Sequence, residues 1–421
     1  MNIIYFVDEF PPFFRGGLGT YAMEMSKKFV ELGHSITVFS RNLGNNPTRE
    51  VWEGVEVHRP LLADISEMLP IFIPEDVKRW HPQAQIFFGE TLVYNILSSL
   101  KLVNQLVKAE GRKVDVIVSH DWLSAWAGCV SECSLKKPFV FHFHSHEQGR
   151  TGNGSLTVKA IENKAGKMAD LIVTVSYAMR DVLISLGQDE KKIRVVHNGV
   201  DTEKYSSRRF SRGEIESFRN KLGINEKEQL ILFVGRLTWV KGVDTLIQAM
   251  PLILKEVPNA KLLILGKGEQ EELIRHIVTN LGIEKNVILE FKYADEEERI
   301  LHYAACDAAV FPSRYDPFLL TGLEAGKEGT PVIVSRVCGF SDAVYEYEVR
   351  EGVAGGVTVV DNIKLPYLEI IADYAMGLES VTKAYIRDRS KYDMMCFDAF
   401  HLAEDMSWKE PVKKYYEILS A

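Results

Sequence analysis

The stretch that most narrows the fold is Gly235-Arg236-Leu237-Thr238-Trp239-Val240-Lys241-Gly242, because of what flanks it. The run Leu230-Ile231-Leu232-Phe233-Val234 ahead of it is apolar throughout, as a strand buried on both faces of a parallel sheet must be. Behind it Val243, Leu246, Ile247 and Met250 recur at helical spacing, so the eight residues fill a strand-to-helix loop. In an open α/β sheet such loops gather at the carboxyl ends of the strands, where ligands bind. Two glycines and two fixed cations there suit a diphosphate: Arg236 offers a forked donor set and Lys241 a compact point charge. Read instead as solvated loop charges, the two need no ligand, and the local sequence leaves both readings open.

The same strand–loop–helix grammar runs through the chain. Ile3–Val7 reads as a strand ending in a loop that closes on Gly16-Gly17-Leu18-Gly19, and Leu18, Tyr21, Ala22, Met25, Phe29 and Leu32 mark one face of the helix that follows. Further strands are expected at Ser35–Ser40, Val114–Ser119, Pro138–Phe143, Leu171–Val175 and Ile193–His197. A second series starts at Leu230 and continues through Lys261–Leu265, Val287–Phe291, Ala308–Phe311, Pro331–Ser335 and Val357–Val360. With 421 residues, the chain fits two Rossmann-like domains, at 1–200 and 228–403, joined by a polar link over 201–227. A C-terminal helix is expected over 404–421, entered through Pro411, and its return to the amino-terminal domain stays open. The segment from Leu61 to Glu110 is the least legible; the aromatics of Pro70-Ile71-Phe72-Ile73-Pro74 and Ile86-Phe87-Phe88 read as core, with an acceptor or membrane surface as the sharper alternative.

A formal charge of −8 argues against nucleic acid or a strongly anionic membrane as the main partner. Five scattered cysteines with no CxxC pair fit free thiols in a reducing, cytoplasmic setting. The start of the chain reads directly as a strand rather than a signal peptide, and no uninterrupted apolar run reaches spanning length, so no spanning segment is expected; peripheral membrane contact is not excluded.

Two other places carry chemistry. Phe311-Pro312-Ser313-Arg314-Tyr315-Asp316-Pro317-Phe318 leads into a helix start at Leu320-Thr321-Gly322, whose free backbone N–H groups would face an anion. Asp316 and Glu324 fit carboxylates that accept from sugar hydroxyls, or equally a turn residue and a helix-dipole partner. Phe141-His142-Phe143-His144-Ser145-His146 ends another strand, and alternation would put its three histidines on one side. A metal site there is disfavoured, since no carboxylate or cysteine cluster accompanies the rings; the expected metal is none.

Taken as a set and in this order, Gly235-Arg236-Leu237 with Lys241-Gly242, then Phe311-Pro312-Ser313 with Asp316-Pro317-Phe318 and Leu323-Glu324-Ala325, resemble retaining glycosyltransferases of the GT-B fold. They are similar to family 4 and to the glycogen and starch synthases, and the likeness extends to Gly16-Gly17-Leu18, Leu265-Gly266-Lys267-Gly268 and Ser407-Trp408. The resemblance implies an α/β GT-B architecture, two Rossmann-like domains whose parallel sheets face an interdomain cleft. It implies a UDP-sugar or ADP-sugar donor, a carbohydrate acceptor and no cofactor. On matching residues, Arg236 and Lys241 would hold the diphosphate, with Leu320 and Thr321 at the helix start, Glu324 on the ribose and Asp316 on the transferred sugar. Gly16 and Gly17 would lie over the phosphates, His144 against the sugar, and His120-Asp121 toward the acceptor.

Four departures from the family pattern stand out. Phe14 replaces a lysine, Asp316 a glutamate, Leu319 a glycine, and Cys338-Gly339 a pair of glycines. The expected activity is retaining, metal-independent hexosyl transfer, first to an α-glucan and otherwise to a lipid, small polyol or glycoconjugate. A non-hydrolysing sugar epimerase and a catalytically weakened nucleotide-sugar-binding protein are the alternatives. A Rossmann dehydrogenase is disfavoured, because neither Gly17-Leu18-Gly19 nor Gly266-Lys267-Gly268 completes G-x-G-x-x-G.

Overall fold

The buried strands expected from sequence form two parallel sheets, each the centre of its own unit. The computed structural model describes residues 1–12, 16–44, 46–206, 209–351, 357–360, 376–377, 381, 384 and 388–420, with 349–351 as backbone only. Phe14 and Arg15, next to the first glycine loop, lie outside the described residues. One unit comprises Met1–Asn198 with Trp408–Ala421, the other Gly199–Ser407.

The first unit holds β1 (Asn2–Phe6), β2 (Ser35–Phe39), β3 (Arg49–Trp52), β4 (Val55–His58), β5 (Val116–His120), β6 (Phe139–Phe143), β7 (Leu171–Thr174) and β8 (Ile193–Val195). Their order across the sheet is β3-β4-β2-β1-β5-β6-β7-β8. Every pairing is parallel except β3 with β4, where Trp52 faces Val55 across a tight turn. This hairpin departs from the purely parallel sheet expected. Its turn residues Glu53 and Gly54 both take positive φ, 46° and 82°, the geometry that reverses a chain between two strands. β5 and β6 are buried at every position. Phe139, Phe141 and Ile117 pack there with Leu102, Leu106 and Ile172 in one core. Each such side chain contributes roughly 1.5–3 kcal/mol by leaving water.

The helix Pro82–Ala109 corrects the expectation that no segment could span a membrane: its 28 residues are long and apolar enough by length and composition. Half of that apolar window is buried inside the protein, and Tyr94, Leu102 and Leu106 are fully covered. Its hydrophobicity is therefore accounted for by a core helix, which widens to a π-helix over Lys101–Ala109. Of the aromatics in this segment, Phe88 stacks on Trp122 in a small apolar cluster, while Ile71 and Phe72 are 69% exposed. The closing helix Lys409–Ser420 packs within the first unit, with Tyr415 against Phe29 and Trp408 against Tyr21.

The second unit carries β9 (Gln229–Val234), β10 (Ala260–Leu265), β11 (Val287–Glu290), β12 (Ala308–Phe311), β13 (Val332–Ser335) and β14 (Val357–Val360). The order is β11-β10-β9-β12-β13-β14, parallel throughout. The chain reverses its direction of growth between β9 and β12, so the loops after these two strands are neighbours at the topological switch point. The stretch 201–227, read from sequence as a link, belongs to this unit and contains the helix Arg212–Lys221, begun by a capping box of Ser211 and Glu214. Arg219 ties that polar helix down, donating to the carbonyls of Ala305 and Glu228 at 2.7 Å each and pairing with Asp307.

Candidate functional site

In the second unit, the two loops singled out from sequence meet backbone to backbone. Gly242 sits at φ +66°, and a Cβ there would lie 2.0 Å from the carbonyl oxygen of Pro312, so only glycine permits the approach. Arg314 bolts the contact. Its N–H donates to the Val240 carbonyl at 2.7 Å, and its guanidinium donates to both carboxylate oxygens of Asp244 at 2.8 and 2.6 Å. The same group donates to the Trp239 carbonyl at 2.8 Å and lies over the Trp239 ring. Such a fork fixes direction as well as distance.

That register brings together residues 75 apart in sequence: Lys241 Nζ donates to Asp316 Oδ2 at 2.6 Å. Asp316 is held from its own backbone as well, where its carbonyl accepts from Gly339 N–H at 2.9 Å. Arg236 lies on the same loop as Lys241, exposed, with no ion pair among the described residues. A paired cation and buried carboxylate thus meet at the carboxyl ends of β9 and β12, with Arg236 on the first of the two loops.

Glu324, 8% exposed, is gripped from behind. Tyr303 OH donates to Oε2 at 2.9 Å and Arg299 Nε at 3.2 Å, while Arg299 in turn donates to Tyr205 OH at 2.9 Å. The Glu324 carboxylate raises the Arg299 pKa above its ordinary value, and burial raises that of Tyr303, so both remain donors at neutral pH. Sequence reading missed Arg299, Tyr303 and Arg314. The spacing of Arg299 and Tyr303, four apart on the helix Glu296–Ala305, was the available signal.

The helix start needs a correction. Leu320 and Gly322 do not offer free N–H groups: Leu320 donates to the Phe318 carbonyl at 3.1 Å and Gly322 to that of Leu319 at 3.2 Å. Leu319, the N-cap, has no side-chain oxygen to cap them, so the backbone tightens on itself. Two departures from the family pattern are absorbed by the core. Leu319 is 3% exposed and packs toward Gly322, and Cys338 is fully buried with its thiol pKa pushed well up by burial.

In the first unit, Gly16 and Gly17 are exposed at the start of the helix Gly17–Glu31, and Gly16 has open space where a Cβ would stand. The histidines form a cluster of different membership from the one expected. His142 and His144 stack at 3.9 Å and 16°, and the third ring is His120, whose Nδ1 lies 3.0 Å from His144 Nε2. His146 instead caps the helix Glu147–Thr151, accepting from Gly149 N–H, because the strand and its alternation end at Phe143. Nor do His120 and Asp121 point outward for an acceptor. His120 is fully buried, and Asp121 accepts from the N–H groups of His144 at 2.7 Å and Ser145 at 3.1 Å and from Ser145 OH at 2.9 Å. Both serve to hold His144, the one ring of the three that is partly open.

Burial depresses all three imidazoles, that of His144 to about 3, so the cluster is neutral at physiological pH. The three could by proximity hold a metal ion. However, an imidazole lone pair lies in its ring plane, and the nearly parallel planes of His142 and His144 do not converge on a common point. A second cluster, Glu290, Glu298 and His302, is already served by the ammonium of Lys292 at 3.1 and 2.5 Å.

Residues 15–204 match the family model described as Glycosyltransferase Family 4, and residues 214–374 match Glycosyl transferases group 1. An uncharacterized glycosyltransferase of Methanocaldococcus jannaschii is 31% identical over 83% of this chain and 84% of its own length. Glycogen synthase of Mycobacterium tuberculosis is 30% identical over 82% and 80%. Among solved structures, the catalytic domain of starch synthase IV from Arabidopsis thaliana, bound to ADP and acarbose, superposes with a TM-score of 0.75 at 18% identity, covering 100% of this chain and 98% of that one. The two parallel-sheet units are those of the GT-B fold, and the chain belongs to the glycosyltransferases, a family 4 module followed by a group 1 module.

Proposed function

We propose that the protein is a cytosolic, retaining hexosyltransferase that moves glucose from UDP-glucose or ADP-glucose to an α-glucan, without a metal or cofactor. The observation that carries this reading is the pairing of Lys241 with Asp316 across two loops locked in register by Arg314, with Arg236 on the Lys241 loop. A diphosphate leaving group develops negative charge as the glycosidic bond breaks. Two fixed cations at that place stabilise the charge more in the transition state than in the ground state, which is what accelerates a reaction.

Glu324, oriented by Tyr303 and Arg299, takes the ribose hydroxyls, and Asp316 takes hydroxyls of the sugar. In the first unit, His144 offers a neutral hydrogen-bonding ring. The similarity to glycogen synthase supports a glucan acceptor. The burial of Leu319 and Cys338 favours catalysis over a weakened binding protein, since neither side chain stands in the loop's open space. Five free thiols support the reducing compartment.

The test is a transfer assay with labelled UDP-glucose and ADP-glucose, with EDTA present, against a panel of glycogen, a small polyol and a lipid acceptor. Label should pass to glycogen with the α configuration kept at the anomeric carbon. Transfer only to a polyol or lipid would replace the acceptor, an inverted product would reject the retaining mechanism, and conversion of the nucleotide sugar to its epimer without any acceptor would point to an epimerase.

A further inference from the structure

The lysine assigned to the phosphates is held by the carboxylate assigned to the sugar. Lys241 Nζ donates to Asp316 Oδ2 at 2.6 Å, and the pair is mostly covered, with 21% and 7% of the two side chains exposed. A charge-assisted hydrogen bond in such a place is stronger than one in open solvent.

We propose that Asp316 determines specificity for a sugar-bearing nucleotide over the bare diphosphate by withholding Lys241 until a sugar hydroxyl takes its place. The inference rests on the donor reading above. A nucleotide sugar brings hydroxyl donors that satisfy the Asp316 carboxylate, so Lys241 turns to the diphosphate at small cost. A bare nucleoside diphosphate brings none. It must detach Lys241 and leave a buried carboxylate with only the long contact from the Ser313 hydroxyl, 3.5 Å, beside its own charge. It also carries more negative charge than its sugar ester, which sharpens the penalty. Once transfer has removed the sugar, Asp316 reclaims Lys241 and the diphosphate is expelled, so the same contact that selects the donor hastens product release.

Isothermal titration of ADP and UDP, and of their glucose esters, into wild type, Asp316→Asn, Asp316→Glu and Lys241→Gln tests this. Asp316→Asn keeps the size of the side chain and the carbonyl that accepts from Gly339. It should tighten binding of the bare diphosphate by about tenfold, the scale of one charged hydrogen bond, while weakening the glucose ester. Asp316→Glu, which keeps the charge, should leave the bare diphosphate within about twofold of wild type. Lys241→Gln probes the contact from its other end and does not depend on Asp316→Asn folding. It should cost the glucose ester more than the bare diphosphate, because in wild type only the ester has the lysine free to it. An unchanged or weakened diphosphate in Asp316→Asn, or equal losses in Lys241→Gln, overturns the proposal while leaving the donor reading intact if wild type binds a glucose ester. If wild type binds none of the four nucleotides, both fall.

Discussion

The histidine cluster of the first unit and the charged loops of the second solve opposite problems with buried polar groups. Around His142, burial is complete, both ring nitrogens lack a hydrogen-bond partner among the described residues, and the rings stay neutral. Around Lys241, Asp316 and Glu324 the groups are charged, and each buried carboxylate has a named cation or hydroxyl against it. Removing a charge from water costs several kcal/mol per ion unless its partner is well placed. The second unit meets that cost with paired, pre-aimed groups, and the first avoids it by neutrality. The difference separates the roles: the charged loops suit binding of a charged ligand and stabilisation of a departing anion, whereas the neutral rings suit shape and hydrogen bonding.

The contrast breaks most sharply at the clamp. Lys241→Ala should lower transfer by about 10²–10³ with the fold intact, as for a lost transition-state donor. A steady-state assay checks this, with the melting temperature as control. Arg314→Met comes next. It frees the loops without touching ligand, and it should cost about one to two powers of ten in kcat/KM, since ångström misplacement of reacting groups has effects of that order. Arg314→Lys should restore little, because a point charge cannot replace the fork to Asp244.

Tyr303→Phe removes a single donor from Glu324 and should raise the donor KM by roughly tenfold or less, with kcat nearly unchanged. On the other side, the neutral cluster makes the first unit acid-sensitive. Histidines with an ordinary value of 6.5 when unfolded and depressed values when folded bind protons preferentially in the unfolded state. Their contribution to stability is therefore complete above about 6.5 and is lost progressively as pH falls toward 3. Melting temperature against pH should decline over that window, less steeply in His142→Phe. The smallest expected effect is that of EDTA, which should leave transfer unchanged.

The parallel strands were legible because their apolar runs and following glycines obey one rule: a strand covered on both faces has no polar side to show. The hairpin β3–β4 was not read, although Val55-Glu56-Val57 alternates and Glu53-Gly54 marks a turn; the segment is short and half-exposed. Lys241 and Asp316 could each be singled out as candidates, because each stands in a loop that follows an apolar strand. Their pairing could not, since it depends on the order of β9 and β12 in the sheet and on Arg314. His120 as the third ring depended likewise on β5 lying beside β6. The N–H groups of Leu320 and Gly322 were misjudged because a cap of Leu319 lets the backbone close on itself, a detail of φ and ψ that residue type does not carry.

The central claim is that the Arg236 and Lys241 loop of the second unit holds the diphosphate of a nucleotide sugar. Phosphorus NMR titration of UDP-glucose and ADP-glucose, with EDTA present, into wild type and an Arg236→Ala, Lys241→Ala double variant tests it most directly. At least one nucleotide should shift both diphosphate resonances in wild type, and the double variant should lose this response while keeping its melting transition. Identical shifts and affinities in the two proteins would contradict it.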